Sequence, residues 1–314
     1  MKNVYLDNNA TTQVASEVID AMMPFFRDLW GNPSSMHVFG GQVTRHMEEA
    51  RGKVADLIGA SPSEIVFTSC GTESDNTAIR GTLEAAGRPM RIITTRVEHP
   101  AVLNTCRHFK ETGYDVVEIG VNHDGDLNLD ELRDEVAKGP ALVSVMWANN
   151  ETGVIFPIRE IAEIVKGAGC VMHTDAVQAA GKLDIDMEKV PVDMLSLSGH
   201  KLHAPKGIGV LYIRRGTRIN PLLLGGHHEG GKRAGTENIP YIVGLGKACD
   251  LARKNMSYER KRVAELRDKL EDNLLKSCPD ATVNGNRKNR LPNTSNMSFH
   301  FIEGEAILYH LSDY

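Results

Sequence analysis

Cysteine is scarce in this sequence and is never arranged as a close pair. The 314 residues contain five cysteines, widely spaced, and no two of them form a C-x-x-C motif. An odd number of isolated cysteines argues against a disulfide framework and against a zinc or dithiol redox motif. We therefore expect reduced thiols in the core of a folded protein.

The sequence also lacks long apolar runs and an excess of positive charge. No segment approaches the roughly 20 apolar residues of a membrane helix, and the N-terminus, MKNVYLDNNATT, lacks the apolar stretch and cleavage site of a signal peptide. Lys and Arg number 36 against 41 Asp and Glu, giving a net charge of -5. These absences predict a cytoplasmic protein with neither a membrane nor a nucleic acid as partner.

What the sequence does contain is an alternation of strand-like and helix-like segments. A helical pattern ends at Gly59, the apolar run EIVFTS follows at 64–69, and another helical pattern begins near Gly71. Further strands are predicted at 91–95, 116–119, 141–147 and 170–174. This alternation predicts an α/β fold with a mainly parallel sheet, helices on both faces, and functional residues at the carboxyl ends of the strands.

Three consecutive strand-like runs end in polar side chains. NNETG follows VSVMWA, DAVQ follows CVMHT, and GHK follows VDMLSLS, which brings Asn150, Asp175, Gln178 and Lys201 to one predicted edge. Nearby, SCGTES predicts a strand, a glycine turn and a helix start at Thr72, where free N–H groups and the helix dipole favour a phosphate. A lysine, a carboxylate and a phosphate cradle together predict pyridoxal phosphate as cofactor.

The chemistry of this cofactor suggests a role for three of the residues. Lys201 would form a Schiff base with the cofactor aldehyde, since partial burial and nearby positive charge make such an amine available. Asp175 would pair with the ring nitrogen and keep it protonated. His99, in VEHPAV, also follows a strand, and an imidazole there would suit stacking on the ring and moving a proton.

Each of these residues has a simpler interpretation when it is taken alone. Lys201 would be an exposed loop lysine, with Lys206 of APKG as a competing candidate. Asp175 and Thr72 would cap the segments that follow them, and the two amides would be turn or surface residues. The joint placement of these residues on one edge favours the cofactor hypothesis.

The histidines suggest a different hypothesis, a metal site. The loop GGHHEGG, at 225–231, follows His200 and His203 in the sequence, and imidazoles with a carboxylate are suitable ligands. The adjacent His227 and His228 cannot readily both point inward from one short loop, and no H-E-x-x-H motif supports them. We therefore predict no metal.

With these residues in view, the sequence resembles the pyridoxal-phosphate enzymes of the class V aminotransferase group. More closely, it resembles the NifS-type cysteine desulfurases, which supply sulfur for iron–sulfur clusters, including those of nitrogenase. The resemblance covers essentially the whole chain and rests, in order, on YLDNNATT, GNPSSMH, EIVFTSCGTESDN, VEHPAV, SVMWANNETG, HTDAVQA, LSGHKLHAPKGIGVLY, GGHHEGGKRAGTEN and FIEGEAIL. It implies the fold type I transferase architecture, with a mainly parallel seven-stranded sheet and a smaller α/β domain.

The resemblance also implies a role for each candidate residue. Lys201 would hold the cofactor and remove the substrate Cα proton, Asp175 would bind the ring nitrogen, and His99 would stack on the ring. The other implied cofactor contacts are Gln178 and Asn150 on the ring-hydroxyl side, Gly71, Thr72, Ser198 and His200 at the phosphate, and Thr236 from the other subunit of a homodimer.

The implied reaction converts L-cysteine to L-alanine and leaves a persulfide on the enzyme for an iron–sulfur scaffold or another sulfur-acceptor protein. The resemblance places the attacking cysteine in a serine- and glycine-rich loop after EGEAIL, and a carboxylate-binding arginine beyond it, whereas the sequence ends at Tyr314. None of the five cysteines matches, and Cys70 would lie at the phosphate end. We therefore expect impaired activity.

Two alternative functions remain open from the sequence. The protein could be another class V enzyme, such as an aminotransferase or selenocysteine lyase, or an inactive truncated cofactor-binding dimer.

The domain organisation follows from the same resemblance and from a long charged helical segment predicted between Pro240 and Lys276. We expect an N-terminal arm at 1–14 that contributes to the small domain, a large cofactor-binding domain at 15–255, and the rest of the small domain at 256–314. That last part begins a strand and a helix, and we expect it to be incomplete at its C-terminal end.

Overall fold

A seven-stranded sheet lies at the centre of the computed structural model, which describes residues 4–312. The strands are β1 (Ile65–Thr68), β2 (Arg91–Thr95), β3 (Val116–Ile119), β4 (Ala141–Ser144), β5 (Val171–Asp175), β6 (Met194–Ser198) and β7 (Gly209–Ile213). Their order is β1-β7-β6-β5-β4-β2-β3. Only β7 runs antiparallel to its neighbours among the described strands of this sheet. The predicted mainly parallel seven-stranded sheet is confirmed.

Helices connect the strands and cover the sheet. They are α1 (Ser16–Met22), α2 (Pro24–Arg27), α3 (Val38–Ile58), α4 (Gly71–Ala85), α5 (Pro100–Glu111), α6 (Leu129–Val136), α7 (Ile158–Gly167), α8 (Ile239–Ser277) and α9 (Gly304–Leu311). A separate antiparallel pair, β8 (Ala281–Val283) and β9 (Met297–Phe299), lies between α8 and α9 in the sequence.

The strand side chains alternate between two apolar clusters, one on each face of the sheet. Ile92 belongs to the cluster that includes α4 and α5, whereas Ile93 belongs to the cluster that includes α3, α7 and α8. Leu142 and Val143 divide between the two clusters in the same way. Because both faces are covered, nearly all strand residues are buried, including polar ones such as His173 and Ser196.

The ends of the long helices agree with their sequence signals. Helix α3 ends at Gly59, whose positive φ of 61° suits glycine and whose N–H reaches the carbonyl of Ala55. Helix α8 runs for 39 residues over the segment predicted to be helical. The predicted domain boundary at 255/256 falls inside this helix, and the domain division stays a prediction. None of the helices within residues 4–312 is both long and apolar enough to cross a membrane.

A buried ion pair fixes the segment between β8 and β9 against α8. Arg290 donates from Nη1 to Glu271 Oε1 at 2.6 Å and from Nη2 to Oε2 at 2.5 Å, and the two side chains are 2% and 0% exposed. The same segment pairs with the turn after β4, since the N–H of Leu291 reaches the carbonyl of Gly153 at 2.8 Å. This ion pair therefore supports the edge of the sheet at which functional residues were predicted.

Breaking this pair should destabilise the fold. Arg290→Met leaves the buried Glu271 carboxylate without both of its hydrogen-bonded ion-pair contacts and with only the more distant Arg287 at 3.9 Å, and we expect a loss of about 3–5 kcal/mol in the free energy of unfolding. The double variant Arg290→Met/Glu271→Leu should recover much of that loss. Chemical denaturation measures both. The exposed pair Arg45–Glu49 provides the control, because Arg45→Ala should cost at most ~1 kcal/mol; equal losses for Arg290→Met and Arg45→Ala would contradict the prediction.

Candidate active site

A cavity of about 520 Å³ opens at the carboxyl edge of the sheet. Strands β5 and β6 end there, and α4 and α5 begin there. Nine of the residues predicted to bind cofactor or catalyse line this cavity: Gly71, Thr72, His99, Asn150, Asp175, Gln178, Ser198, His200 and Lys201. The structure therefore brings them together, while the role of each stays a prediction.

Lys201 reaches the cavity from a short 3-10 turn, Gly199–Lys201, which directly follows β6. Its amine donates to the carbonyl of Ala10 at 2.8 Å and also contacts the carbonyl of Asn9. Partial burial lowers the pKa of Lys201, and the charges of nearby carboxylates oppose that shift. Lys206 is exposed and lies outside the lining. Of the two candidate lysines, Lys201 is therefore the one that a ligand in this cavity would meet.

Asp175 is the last residue of β5 and is almost fully buried. Its Oδ1 accepts a hydrogen bond from the N–H of Val177 at 2.9 Å, so it does cap the turn that follows, as the simpler interpretation suggested. Burial raises the pKa of the carboxyl, while the Val177 N–H and the charges of His99 and Lys201 favour its ionised form. A buried carboxylate of this kind suits a positively charged N–H partner in the cavity.

The first turn of α4 lines the cavity at the place where the phosphate cradle was predicted. The helix begins at Gly71 without a side-chain cap, so its first N–H groups have no partner within the helix. A Cβ at Gly71 would lie 3.1 Å from Val177 Cγ2 and 3.4 Å from Ser198 Cβ, and one at Gly209 would lie 2.6 Å from the Cys70 carbonyl carbon. The two glycines thus allow the strands to approach the start of the helix closely.

The imidazole rings of His200 and His99 both border the cavity. Burial, together with the charges of Lys201 and Lys206, lowers the pKa of His200 to about 4. His99 caps α5, because its Nδ1 accepts from the N–H of Ala101 at 3.1 Å. In the neutral form its proton therefore sits on Nε2. Because its pKa is lowered, the His200 ring can contact a ligand without adding a positive charge.

The two predicted amides differ in how their hydrogen bonds are used. Gln178 donates from Nε2 to the carbonyl of Asn9 at 3.0 Å, but its buried Oε1 has no partner within the described part of the chain. Asn150 donates from Nδ2 to Glu151 Oε1 at 2.9 Å. The unpaired oxygen of Gln178 indicates that a donor group belongs in the cavity, since buried acceptors are rarely left unsatisfied.

Thr236 lies outside this cavity. It is exposed and lines a separate cavity of about 160 Å³ that also contacts Arg233. The loop before it is held by two long-range ion pairs, Arg51–Glu229 at 2.7 Å and Arg233–Glu73 at 2.9 Å. Its predicted contact involves a second subunit and stays a prediction.

The same loop carries the histidines considered as metal ligands. Glu229 is bound by the guanidinium of Arg51 and also accepts from the N–H of Phe67 at 2.9 Å, and His228 Nδ1 accepts from the N–H of Gly235 at 3.2 Å. Over residues 4–312, no group of three or more potential ligands is placed to hold a metal ion. The carboxylate of GGHHEGG therefore anchors the loop to α3 and β1.

Several residues of the site were not predicted. Asp7, Asn9 and Ala10 of the N-terminal arm line the cavity, although the sequence argument used YLDNNATT only for its resemblance. Asp75 on α4 also lines it, 1% exposed, with Oδ1 unpaired and 3.6 Å from His173 Nε2. In the sequence Asp75 looks like an ordinary polar residue of a helix, and only its burial in the structure distinguishes it.

Glu98 is a second unpredicted buried acid. Its Oε1 accepts from Thr95 Oγ1 at 2.8 Å and from the N–H of Met146 at 2.9 Å, and its Oε2 has no partner within residues 4–312. Burial raises the pKa of Glu98 to about 8, and the charge of Asp175 acts in the same direction. The folded protein therefore keeps this group protonated at neutral pH.

Glu98 should make stability fall as pH rises. Between the ordinary pKa of 4.5 and about 8, the unfolded chain releases this proton and the folded chain keeps it. The contribution of this proton to the free energy of unfolding is therefore complete below pH 4.5. It decreases by about 1.4 kcal/mol per pH unit between pH 4.5 and about pH 8. Glu98→Gln, which cannot ionise, should gain roughly 3–5 kcal/mol on the wild type between pH 5 and pH 8.

Chemical unfolding at the two pH values tests this expectation. Glu163→Gln, on the exposed side of α7, controls for the loss of one carboxyl group. The prediction is wrong if Glu98→Gln and the wild type differ in their free energy of unfolding by the same amount at pH 5 and at pH 8. That result would show that Glu98 is ionised in the folded protein.

The cavity fits pyridoxal phosphate. It offers an amine for the aldehyde, a buried carboxylate for the ring nitrogen, a helix start for the phosphate and an unpaired amide oxygen, all from elements on one edge of the sheet. Fold and site together define a fold type I pyridoxal-phosphate enzyme. The chain belongs to the class V aminotransferase family, whose model matches residues 4–314. The predictions of the fold class, the cofactor and the family are confirmed.

Characterised relatives refine this assignment. The chain is 56% identical to a cysteine desulfurase of Trichormus azollae, and the match covers all 314 residues of this chain and 78% of that relative. It is 55% identical to the cysteine desulfurase NifS of Azotobacter vinelandii over 309 residues, which cover 77% of that relative. A solved NifS-like protein superposes with a TM-score of 0.96 at 43% identity, covering 100% of this chain and 86% of its own. SspA, solved in complex with cysteine, superposes with a TM-score of 0.87 at 33% identity, covering 99% and 87%.

Proposed function

We propose that the protein is a cysteine desulfurase, which takes sulfur from L-cysteine and releases L-alanine. The observation that carries this proposal is the meeting of Lys201, Asp175 and the α4 cradle in one cavity of a chain that is 56% identical to a cysteine desulfurase over its full length. The complex of SspA with cysteine supports the same substrate.

The residues of the cavity would have different roles in the reaction. Bound pyridoxal phosphate supplies an electron sink for the electrons left on the substrate Cα when its proton departs. Asp175 would hold the proton of the ring nitrogen, and the first turn of α4 with Ser198 and His200 would hold the phosphate. Lys201, whose pKa is lowered by burial, would hold the cofactor covalently and then move the Cα proton.

The remaining cavity residues would orient the ring. His99, with its proton on Nε2, would stack on one face, and Gln178 and Asn150 would contact the ring-hydroxyl side. The unpaired Oε1 of Gln178 supports that placement, because it needs a donor and the ring hydroxyl is one.

The proposal extends to a cytoplasmic homodimer that serves a sulfur acceptor. Thr236 would reach the cofactor phosphate of the second subunit. A thiolate, which the resemblance places after EGEAIL and which the added dithiol would replace in a test of this sequence, would take up the substrate sulfur as a persulfide. That sulfur would pass to an iron–sulfur scaffold or another acceptor protein, nitrogenase maturation included. Strongly exposed apolar side chains, among them Trp30, Met36 and Leu224, support a protein interface. The division into an arm at 1–14, a large domain at 15–255 and a small domain from 256 belongs to the same proposal.

Alanine formation tests the function directly. The cofactor-loaded 314-residue chain is incubated with L-cysteine and a dithiol, and alanine and sulfide are measured together. We expect both products in equal amounts. Exchange of an amino group between L-cysteine and a keto acid, without alanine or sulfide, would instead indicate an aminotransferase and would overturn the proposal.

A further inference from the structure

Three segments of the chain meet at the side chain of Asn9. They are the N-terminal arm, the turn that follows β4, and the segment that leads into β9. Asn9 Nδ2 donates to the carbonyl of Asn150 at 3.1 Å and to Thr294 Oγ1 at 3.0 Å, and Asn9 Oδ1 accepts from Asn293 Nδ2 at 2.9 Å. We call these four residues the Asn9 junction. Both polar atoms of the Asn9 amide are used within it.

The partners of Asn9 are themselves fixed. Thr294 is 2% exposed and packs on Gly153, where a Cβ would lie 2.7 Å from Thr294 Cβ and where φ is +77°. The N–H of Leu291 reaches the carbonyl of Gly153 at 2.8 Å, and Asn296 Nδ2 reaches the carbonyl of Glu151 at 3.0 Å. The turn and the segment are thus joined to each other, and Asn9 joins the arm to both.

The main chain of the arm forms a wall of the active-site cavity. Asp7, Asn9 and Ala10 line it, and the carbonyl of Asn9 accepts from Gln178 Nε2 at 3.0 Å while the carbonyl of Ala10 accepts from Lys201. Further along, the N–H of Thr12 reaches the carbonyl of His200 at 2.9 Å. The arm is therefore held at one end by Thr12 and at the cavity by the side chain of Asn9.

We propose that Asn9 is a positioning residue for the amino-acid substrate, because its side chain fixes the cavity-facing turn at 7–10 and the backbone of Asn150 at the same time. This inference rests on the proposed function for the identity of the substrate class. The side chain of Asn9 makes no hydrogen bond to a side chain proposed to hold the cofactor within the described residues, although its main-chain carbonyl accepts from Gln178 and Lys201. Asn9 should therefore matter for amino-acid binding far more than for cofactor binding.

The test uses the cofactor-loaded 314-residue chain and L-alanine as the probe. Binding is followed by the change in the visible absorption of the bound cofactor. Asn9→Ala removes the whole junction amide, and the loss of one or two hydrogen bonds should raise the Kd of L-alanine about tenfold. The Kd of the cofactor should change less than about threefold, since the hydrogen bonds of the Asn9 side chain go to the backbone of Asn150, to Thr294 and to Asn293.

Two further variants separate positioning from general damage. Thr294→Val keeps the shape of its side chain and removes the hydroxyl, so the double variant Asn9→Ala/Thr294→Val should bind L-alanine no more weakly than Asn9→Ala alone. Asn122→Ala provides the matched control, because it removes two backbone N–H partners from a loop outside the cavity. It should leave the Kd of L-alanine unchanged.

Hydrogen exchange of the arm provides a readout that does not depend on the substrate. Asn9→Ala should speed exchange at residues 10–12 in the cofactor-loaded protein, while exchange in α4 stays as in the wild type. Unchanged exchange in the arm, or an unchanged Kd for L-alanine in Asn9→Ala, would overturn the inference about Asn9. A different result would count against the proposed function itself. If the wild type loads the cofactor but its absorption does not respond to L-alanine, and Asn9→Ala still speeds exchange in the arm, then the proposed substrate class is wrong. The assignment of Asn9 to substrate positioning would be wrong with it.

Discussion

Replacing Lys201 with alanine is expected to reduce Cα proton exchange at least about 1000-fold, because the change removes both the covalent anchor and the base. The most direct measurement is hydrogen–deuterium exchange at the Cα of L-alanine in heavy water, followed by NMR with the cofactor-loaded chain. This measurement reports proton transfer without requiring any step at sulfur. Alanine release from L-cysteine should fall to background in the same variant.

Two other substitutions sharpen the result for Lys201. Lys201→Arg keeps the positive charge but presents a group that stays protonated, so it should lose exchange as completely as Lys201→Ala. Lys206→Ala alters an exposed lysine outside the cavity and should retain more than half of the wild-type rate. Exchange that survives in Lys201→Ala and disappears in Lys206→Ala would reverse the assignment of the two lysines.

The lowered pKa of Lys201 also predicts how cofactor capture depends on pH. Burial disfavours the ammonium form, and the free amine is the form that reacts with an aldehyde. The rate at which the cofactor-free chain captures pyridoxal phosphate should therefore rise with pH and level off below the ordinary lysine value of 10.5. A rate that keeps rising up to that value would show that the amine is solvated like a surface lysine.

The parts of the fold that the sequence predicted are those that depend on local pattern. Strands β2 and β3 begin and end where their apolar runs do, and α4 begins at the predicted glycine turn. Strand β4 ends at Ser144, short of the predicted 141–147, although the N–H groups of Val145 and Trp147 still reach the carbonyls of His173 and Asp175 in β5. Asp175, expected just after β5, is the last residue of that strand.

The parts of the site that the sequence did not predict depend on distant pairs. Asn9 meets Thr294 across 285 positions, and Arg51 meets Glu229 across 178. No periodicity or capping signal records such a contact, since it exists only after the sheet has brought the segments together. Residues at strand ends were predictable because parallel strands deliver them to one edge, whereas the arm reaches that edge by tertiary contacts alone.

Asp175 and Asp75 offer a comparison between two buried carboxyls in one cavity. Both carboxyls have a pKa that is raised by burial, and each is influenced by the other or by its neighbours. Asp175 receives an N–H from Val177 and faces the positive charges of His99 and Lys201, which favour its ionised form. Within residues 4–312, the one basic side chain near the Asp75 carboxyl is His173, at 3.6 Å, a buried imidazole whose pKa is lowered to about 3. The ionised form therefore has more support at Asp175 than at Asp75.

Asp175→Asn should reduce Cα proton exchange by about 100- to 1000-fold, the range found when one aligned electrostatic partner is removed. The asparagine can still accept from Val177 through its oxygen, but its NH₂ group would then meet the protonated ring nitrogen as a second donor. Asp75→Asn makes the same chemical change at a carboxyl whose pKa burial raises well above its usual range, so it should cost less than about tenfold. The visible absorption of the bound cofactor, titrated with pH, should shift in Asp175→Asn and stay as in the wild type in Asp75→Asn. Equal losses in the two variants would mean that both carboxyls share the negative charge, and that Asp175 does not act alone on the ring nitrogen.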